Sequence, residues 1–114
     1  MSQPVVHFEI TGKDGTALQS YYSSLFGWKI DTDNPVQYGM VESAEGGIAG
    51  GVAASQDGTT NVTVYVQVPD LKAALDKAES LGGRTLMPPM DVPGGPSIAQ
   101  FADPEGNRIG LVKG

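Results

Sequence analysis

The feature that most constrains this chain is that it repeats itself at a fixed interval. Val6, Ile10, Asp14, Leu25 and Gly27 return 56 residues later as Val62, Val66, Asp70, Leu81 and Gly83. Strand residue, helix cap, helix apolar position and helix stop all recur in the same order, so a duplicated supersecondary unit is the economical explanation.

Each copy reads as βαβββ. In Val5–Ile10, apolar Val6, Phe8 and Ile10 alternate with His7 and Glu9, the period of a strand covered on one face, so His7 and Glu9 share the other. Asp14 is placed to cap a helix carrying Ala17, Leu18, Tyr21, Tyr22, Leu25 and Phe26, with Gly27 as its stop. Extended segments are expected at 28–30, 37–41 and 47–52. The second copy opens on Val62–Val68, with the valines on one face and Thr63, Tyr65 and Gln67 on the other. Asp70 caps a second helix with Leu71, Ala74, Leu75, Ala78 and Leu81, and strands follow at 84–87, 97–101 and 108–112. The prolines and glycines of 88–96 predict a long loop that could cover the polar face as a partial lid or simply connect two strands.

The expected fold is therefore α+β. Two tandem βαβββ modules, about 5–52 and about 61–112, are joined by a linker of about 53–60 into one domain spanning 1–114. Pairing of the modules is expected to give a mixed sheet with the helices on one face and the polar residues on the other. Tyr38, Met40 and Gln100 lie on strands that should border the polar face, though which alternate residues share it depends on a strand register that sequence does not supply. Trp28, directly after Gly27 and two residues before Ile30, is expected to pack at the sheet edge.

Composition removes several function classes. The formal net charge is -6, which repels phosphate backbones and anionic lipid, so neither nucleic acid nor a membrane is expected as a partner. There is no cysteine, hence no disulfide, thiolate ligand or thiol nucleophile. No apolar run approaches the length of a membrane span and the first residues are not signal-like, so a cytoplasmic location is expected.

The motifs His7-Phe8-Glu9-Ile10, Leu25-Phe26-Gly27-Trp28, Val68-Pro69-Asp70-Leu71 and Asp103-Pro104-Glu105-Gly106-Asn107 resemble those of the vicinal oxygen chelate superfamily, and the resemblance covers essentially the whole chain. That superfamily includes glyoxalase I, extradiol dioxygenases and bleomycin resistance proteins. The resemblance implies that the paired modules form a cupped mixed sheet with the helices on its outer face and the polar face concave, and that catalytic members hold a divalent metal there on the first and last strands of each. His7 matches one ligand position, and its imidazole is a competent donor. Thr63 and Gly110 occupy two others, and the fourth falls near Ala49 or Gly50, so three of the four lack a usable side chain.

The reading that follows is a glyoxalase- or bleomycin-resistance-like protein that binds a small molecule without the full metal site. Its candidate contacts are His7, Glu9, Tyr38, Thr63, Tyr65, Gln67 and Gln100. No cofactor is assigned, although a divalent metal at a lesser site of His7 and Glu9 stays open. The alternative is a lyase- or isomerase-type enzyme in which His7 and Glu9, about 6.5 to 7 Å apart along one strand face, move a proton on a small oxygenated substrate. His7 could equally be a strand histidine hydrogen-bonded to Tyr65, Thr63 or a carbonyl. A homodimer is expected from the exposed sheet edges.

Overall fold

Asp14 and Asp70 begin the two helices for the same reason. Each is extended, and its carboxylate accepts from the backbone N–H three residues on, Ala17 and Ala73 respectively, both at 3.0 Å. Those bonds satisfy donors that the first helical turn leaves without partners. The computed structural model describes residues 2–114, and within them the elements run β1 (Val5–Gly12), α1 (Gly15–Phe26), β2 (Ile30–Asp31), β3 (Gly39–Val41), β4 (Ala49–Ala54), β5 (Asn61–Val68), α2 (Leu71–Ser80), β6 (Arg84–Asp91), β7 (Ser97–Ala102) and β8 (Arg108–Lys113). This is the βαβββ–βαβββ order that the repeat predicted. Gly27 ends α1 in the left-handed region at φ 70°, its N–H on the Ser23 carbonyl at 2.9 Å.

By its contacts the chain divides into two compact units, His7–Thr63 and a second made of residues 2–6 with Val64–Gly114. The extreme N-terminal residues thus belong with the second repeat, where the Pro4 carbonyl accepts from Gln67 N at 2.9 Å.

In the first unit the strand order is β2-β3-β4-β1, with β1 and β4 parallel and the other pairs antiparallel. In the second it is β5-β8-β7-β6, with β5 and β8 parallel. Two parallel strands cannot be joined by a tight turn, so each repeat makes its crossover through a helix and two strands. Register puts Gly51 opposite Glu9 and Gly110 opposite Tyr65. Glu9 and Tyr65 are equivalent by the repeat, so the first-repeat counterpart of Gly110 is Gly51 rather than Ala49 or Gly50.

The helix of each unit covers one face of its own strands. In the second, Val68, Leu71, Leu75, Ala99 and Leu111 form the buried core, with Val66, Ala74 and Phe101 against it. In the first, Val41, Val52 and Ala53 are buried, and Trp28 packs against Phe8, Tyr22 and Phe26 with ring centroids 5.3, 5.6 and 5.1 Å away. Trp28 is thus a packing residue, as its position suggested.

Two expectations need correction. The strand β6 runs to Asp91, so Pro88 and Pro89 are strand residues and the loop that could have been a lid is reduced to a short hairpin connection, closed by Val92 N to Pro96 O at 3.0 Å. Proline is tolerated there because β6 is the last strand of its order and its pairing with β7 is irregular between Thr85 and Met90. The strand β4 extends to Ala54, two residues into the expected linker. Tyr21, Leu25 and Phe26 of α1 are 58, 56 and 58% exposed; strands of two and three residues at β2 and β3 give that helix too little sheet to cover. Among the described residues no helix is long and apolar enough to cross a membrane.

Both caps are expected to contribute independently: Asp14→Ala and Asp70→Ala should each lower unfolding free energy by about 1 kcal/mol, read as a shift of the urea midpoint with unchanged m-value.

Candidate functional site

The pleat of β1 sends His7 and Glu9 to the face opposite α1, as the alternation required. A residue from outside the strand joins them. The Tyr38 hydroxyl donates to Glu9 Oε2 at 2.9 Å and lies 2.9 Å from His7 Nε2. Its single hydrogen goes to the carboxylate, so His7 Nε2–H donates to the phenolic oxygen and Nδ1 becomes the basic nitrogen of the ring. The two rings are near-parallel, 22° apart. His7 is half-buried, and burial disfavours its imidazolium, which holds its pKa below the ordinary imidazole value.

Tyr38 reaches this position from the turn before β3. Asn34 grips its backbone on both sides, Oδ1 accepting from Tyr38 N at 2.8 Å and Nδ2 donating to Tyr38 O at 2.7 Å. The preceding residue, Gln37, takes φ 54°, a left-handed conformation uncommon for a residue with a side chain. The phenol ends over Gly51, where a Cβ would overlap the Tyr38 ring and hydroxyl. Met40, paired with Gly51 and 46% exposed, borders the same row.

The second unit has a parallel arrangement built from different residues. Tyr65 lies over Gly110, where a Cβ would overlap its ring. Gln100 Nε2 donates to the Tyr65 hydroxyl at 2.9 Å, and Arg108 Nη1 donates to Gln100 Oε1 at 2.6 Å. Thr63 and Tyr65 are buried, at 3 and 4% exposure. Gln67 lies against the terminal Gly114. Sequence reasoning missed Arg108. The signal available was parity: Arg108 stands two residues before Gly110 on a strand and therefore shares its face.

The same positions bear on a family-type metal. Gly51 and Gly110 carry no donor, and tyrosine rings fill the space that a side chain there would need. Thr63 offers only a neutral hydroxyl. Among the described residues no three His, Cys, Asp or Glu side chains gather as a metal site would require. The residues present do not fit the group. A cavity of about 480 Å³ lies instead on the other face of the second unit, beneath α2, lined by apolar residues including Val66, Ala74, Ala78 and Phe101; none of the sequence-selected site residues borders it.

The tyrosine-over-glycine packing makes a direct prediction. Gly110→Ala should destabilise the fold by about 1–3 kcal/mol through overpacking, and the loss should be largely recovered in Gly110→Ala with Tyr65→Ser, measured by urea denaturation of the double-mutant cycle.

Comparison with known proteins agrees with the fold. The sequence profile of the glyoxalase-like domain family matches residues 7–112. Among relatives, CFP32 of Mycobacterium tuberculosis, named for a suspected glyoxylase activity, is 31% identical over 107 residues, covering 86% of this chain and 41% of that protein. The anthracycline biosynthesis protein DnrV of Streptomyces peucetius is 31% identical over 130 residues, covering 94% of this chain and 47% of its own length. The chain thus spans less than half the length of these relatives. Among solved structures, a methylmalonyl-CoA epimerase variant of Streptomyces coelicolor in complex with 2-nitronate-propionyl-CoA superposes with a TM-score of 0.66 at 18% identity, covering 98% of both chains. The methylmalonyl-CoA epimerase of Mycobacterium tuberculosis gives 0.68 at 16%, covering 96% of this chain and 86% of its own. The structural likenesses show the shared fold, and with a family match over nearly its whole length the chain belongs to the glyoxalase-like domain family of the vicinal oxygen chelate superfamily.

Proposed function

We propose that this protein binds a small molecule on the polar faces of its strands and does so without the divalent metal used by catalytic members of the superfamily. The observation that carries the reading is the pair of tyrosines, Tyr38 over Gly51 and Tyr65 over Gly110, standing where a carboxylate ligand would otherwise project. A phenol at each place supplies an aromatic surface and a directional hydroxyl, the mixture that small-molecule sites use. His7, Glu9, Tyr38 and Gln100 are the polar contacts on the partly exposed portion of these faces, with Thr63, Tyr65 and Gln67 supporting them from β5. The protein acts in the cytoplasm as a homodimer, with neither nucleic acid nor membrane as partner. The exposed Tyr21, Leu25 and Phe26 of α1 offer apolar surface for such pairing.

One observation favours a second reading, that of an enzyme. His7, Tyr38 and Glu9 form an unbroken hydrogen-bonded series. With Glu9 as carboxylate and His7 as neutral imidazole, the series can take a proton from a carbon next to a carbonyl and return one through the phenol, the work of an isomerase or glyoxalase-type lyase. The solved structures with the same fold include epimerases.

Elemental mass spectrometry on protein purified without chelator, and again after adding back Zn, Ni, Mn and Fe, tests the metal-free reading. Substoichiometric metal throughout is expected; near-stoichiometric metal lost in His7→Ala would overturn it. The histidine gives a separate check. Its pKa is lowered on folding, so the unfolded chain takes up the proton first as pH falls. The contribution of His7 to stability is complete above about 6.5 and is lost as pH drops through that value toward the folded pKa. The native-state imidazole resonance should therefore titrate with a midpoint below about 6.5, and the fall in urea midpoint across this window should flatten in His7→Gln, which keeps a donor for Tyr38.

A further inference from the structure

Arg108 is a cation in an unusual setting. The chain carries net charge -6 and has 13 Asp and Glu against 7 Lys and Arg, and on α2 Lys72 pairs with Asp76. Arg108 is partly buried on β8, and among the described residues no ion pair joins it to a carboxylate. Its contact is the neutral Gln100 Oε1 at 2.6 Å, which uses one of five guanidinium N–H groups. A guanidinium with one neutral partner keeps most of its donors for a further acceptor, and its planar fork is suited to carboxylate and phosphate.

The surroundings are ordered toward that use. Gln100 cannot turn over: its oxygen faces Arg108 and its NH2 faces the Tyr65 hydroxyl, and the flipped amide would place donors against the guanidinium. The arginine is thereby held by a neutral group that leaves its charge intact. A second arginine shares the row. Register pairs Ala102 with Arg108 on one side and with Arg84 on the other, so the two arginines flank an alanine on one face of three adjacent strands. With strands about 4.8 Å apart, their Cα atoms stand about 10 Å from each other, a span that two long side chains can close around one anionic group. Arg84 is exposed. The next row along the same face carries Gln100 opposite Met87, and beyond it lie Ile98 and Met90. Methionines on an edge strand make an adaptable apolar surface.

We infer that Arg108, with Arg84, forms the anion-binding end of the ligand site, and that the ligand class is a small organic anion whose carboxylate or phosphate docks on the two guanidinium groups while its apolar body lies along Met87, Ile98 and Met90. The inference rests on the reading that this polar face binds a small molecule, and it adds the chemical class. Gln100 positions Arg108.

Titration of the protein labelled with ¹⁵N and with ¹³C at its methionine methyls, followed by NMR, tests the inference with three probes: hexanoate, phenyl phosphate and neutral hexanol. Saturable shifts at the Arg108 Nε–H, the Gln100 side-chain amide and the Met87 methyl are expected with at least one anion, with hexanol at least tenfold weaker. The tighter of the two anions identifies the head group as carboxylate or phosphate. Arg108→Gln, and separately the exposed Arg84→Gln, should weaken the anion at least tenfold, with amide dispersion confirming that both variants fold. Equal response to hexanol, or anion affinity unchanged in both variants, overturns the anion site and leaves the small-molecule reading standing. Absence of any shift on this face with all three probes removes both.

Discussion

Everything at the candidate site depends on the parallel pairing of the first and fourth strands within each repeat. That pairing forces a crossover, the crossover supplies the helix that buries one face, and the face left over is the one on which the polar residues of β1 and β5 stand. It also decides which residue lies beside which. Glu9 has Gly51 as neighbour and Tyr65 has Gly110, and in both places an aromatic ring occupies what the glycine leaves open. The rings come from different sources, a turn in the first repeat and the strand itself in the second. The duplicated scaffold therefore arrives at one packing solution by two routes.

Much of this was legible in the sequence because local chemistry decides it. Alternation placed His7 with Glu9 and Thr63 with Tyr65 and Gln67, and aspartate caps and glycine stops placed both helices to within a residue or two. What was not legible depends on pairing. Tyr38 lies between His7 and Glu9 only because the turn before β3 folds back over β4, which no periodicity records. Arg108 drew no notice beside Gly110, since its importance arises from Gln100 eight residues away on a neighbouring strand. Pro88 and Pro89 read as loop residues because proline cannot donate to a ladder, a rule that does not bind where a strand forms the last position of its order.

The polar groups beside Gly51 and Gly110 are phenols. A neutral phenol both donates and accepts, so each face gains directional hydrogen-bonding capacity there without added charge. In the first unit the carboxylate of Glu9 is linked through Tyr38 to an imidazole whose pKa burial lowers. In the second the guanidinium of Arg108 donates to an amide that itself donates to Tyr65.

The clamp around Tyr38 has a consequence for how such a site changes over time. Since Asn34 and the left-handed Gln37 hold the tyrosine from a turn and not from a ladder strand, the residues that set its reach take no part in sheet pairing. Lengthening, shortening or reshaping that turn moves the hydroxyl relative to His7 and Glu9 while every strand keeps its register. The reach of the Tyr38 hydroxyl is thus set by a few residues between β2 and β3 that lie outside the hydrogen-bonded ladder.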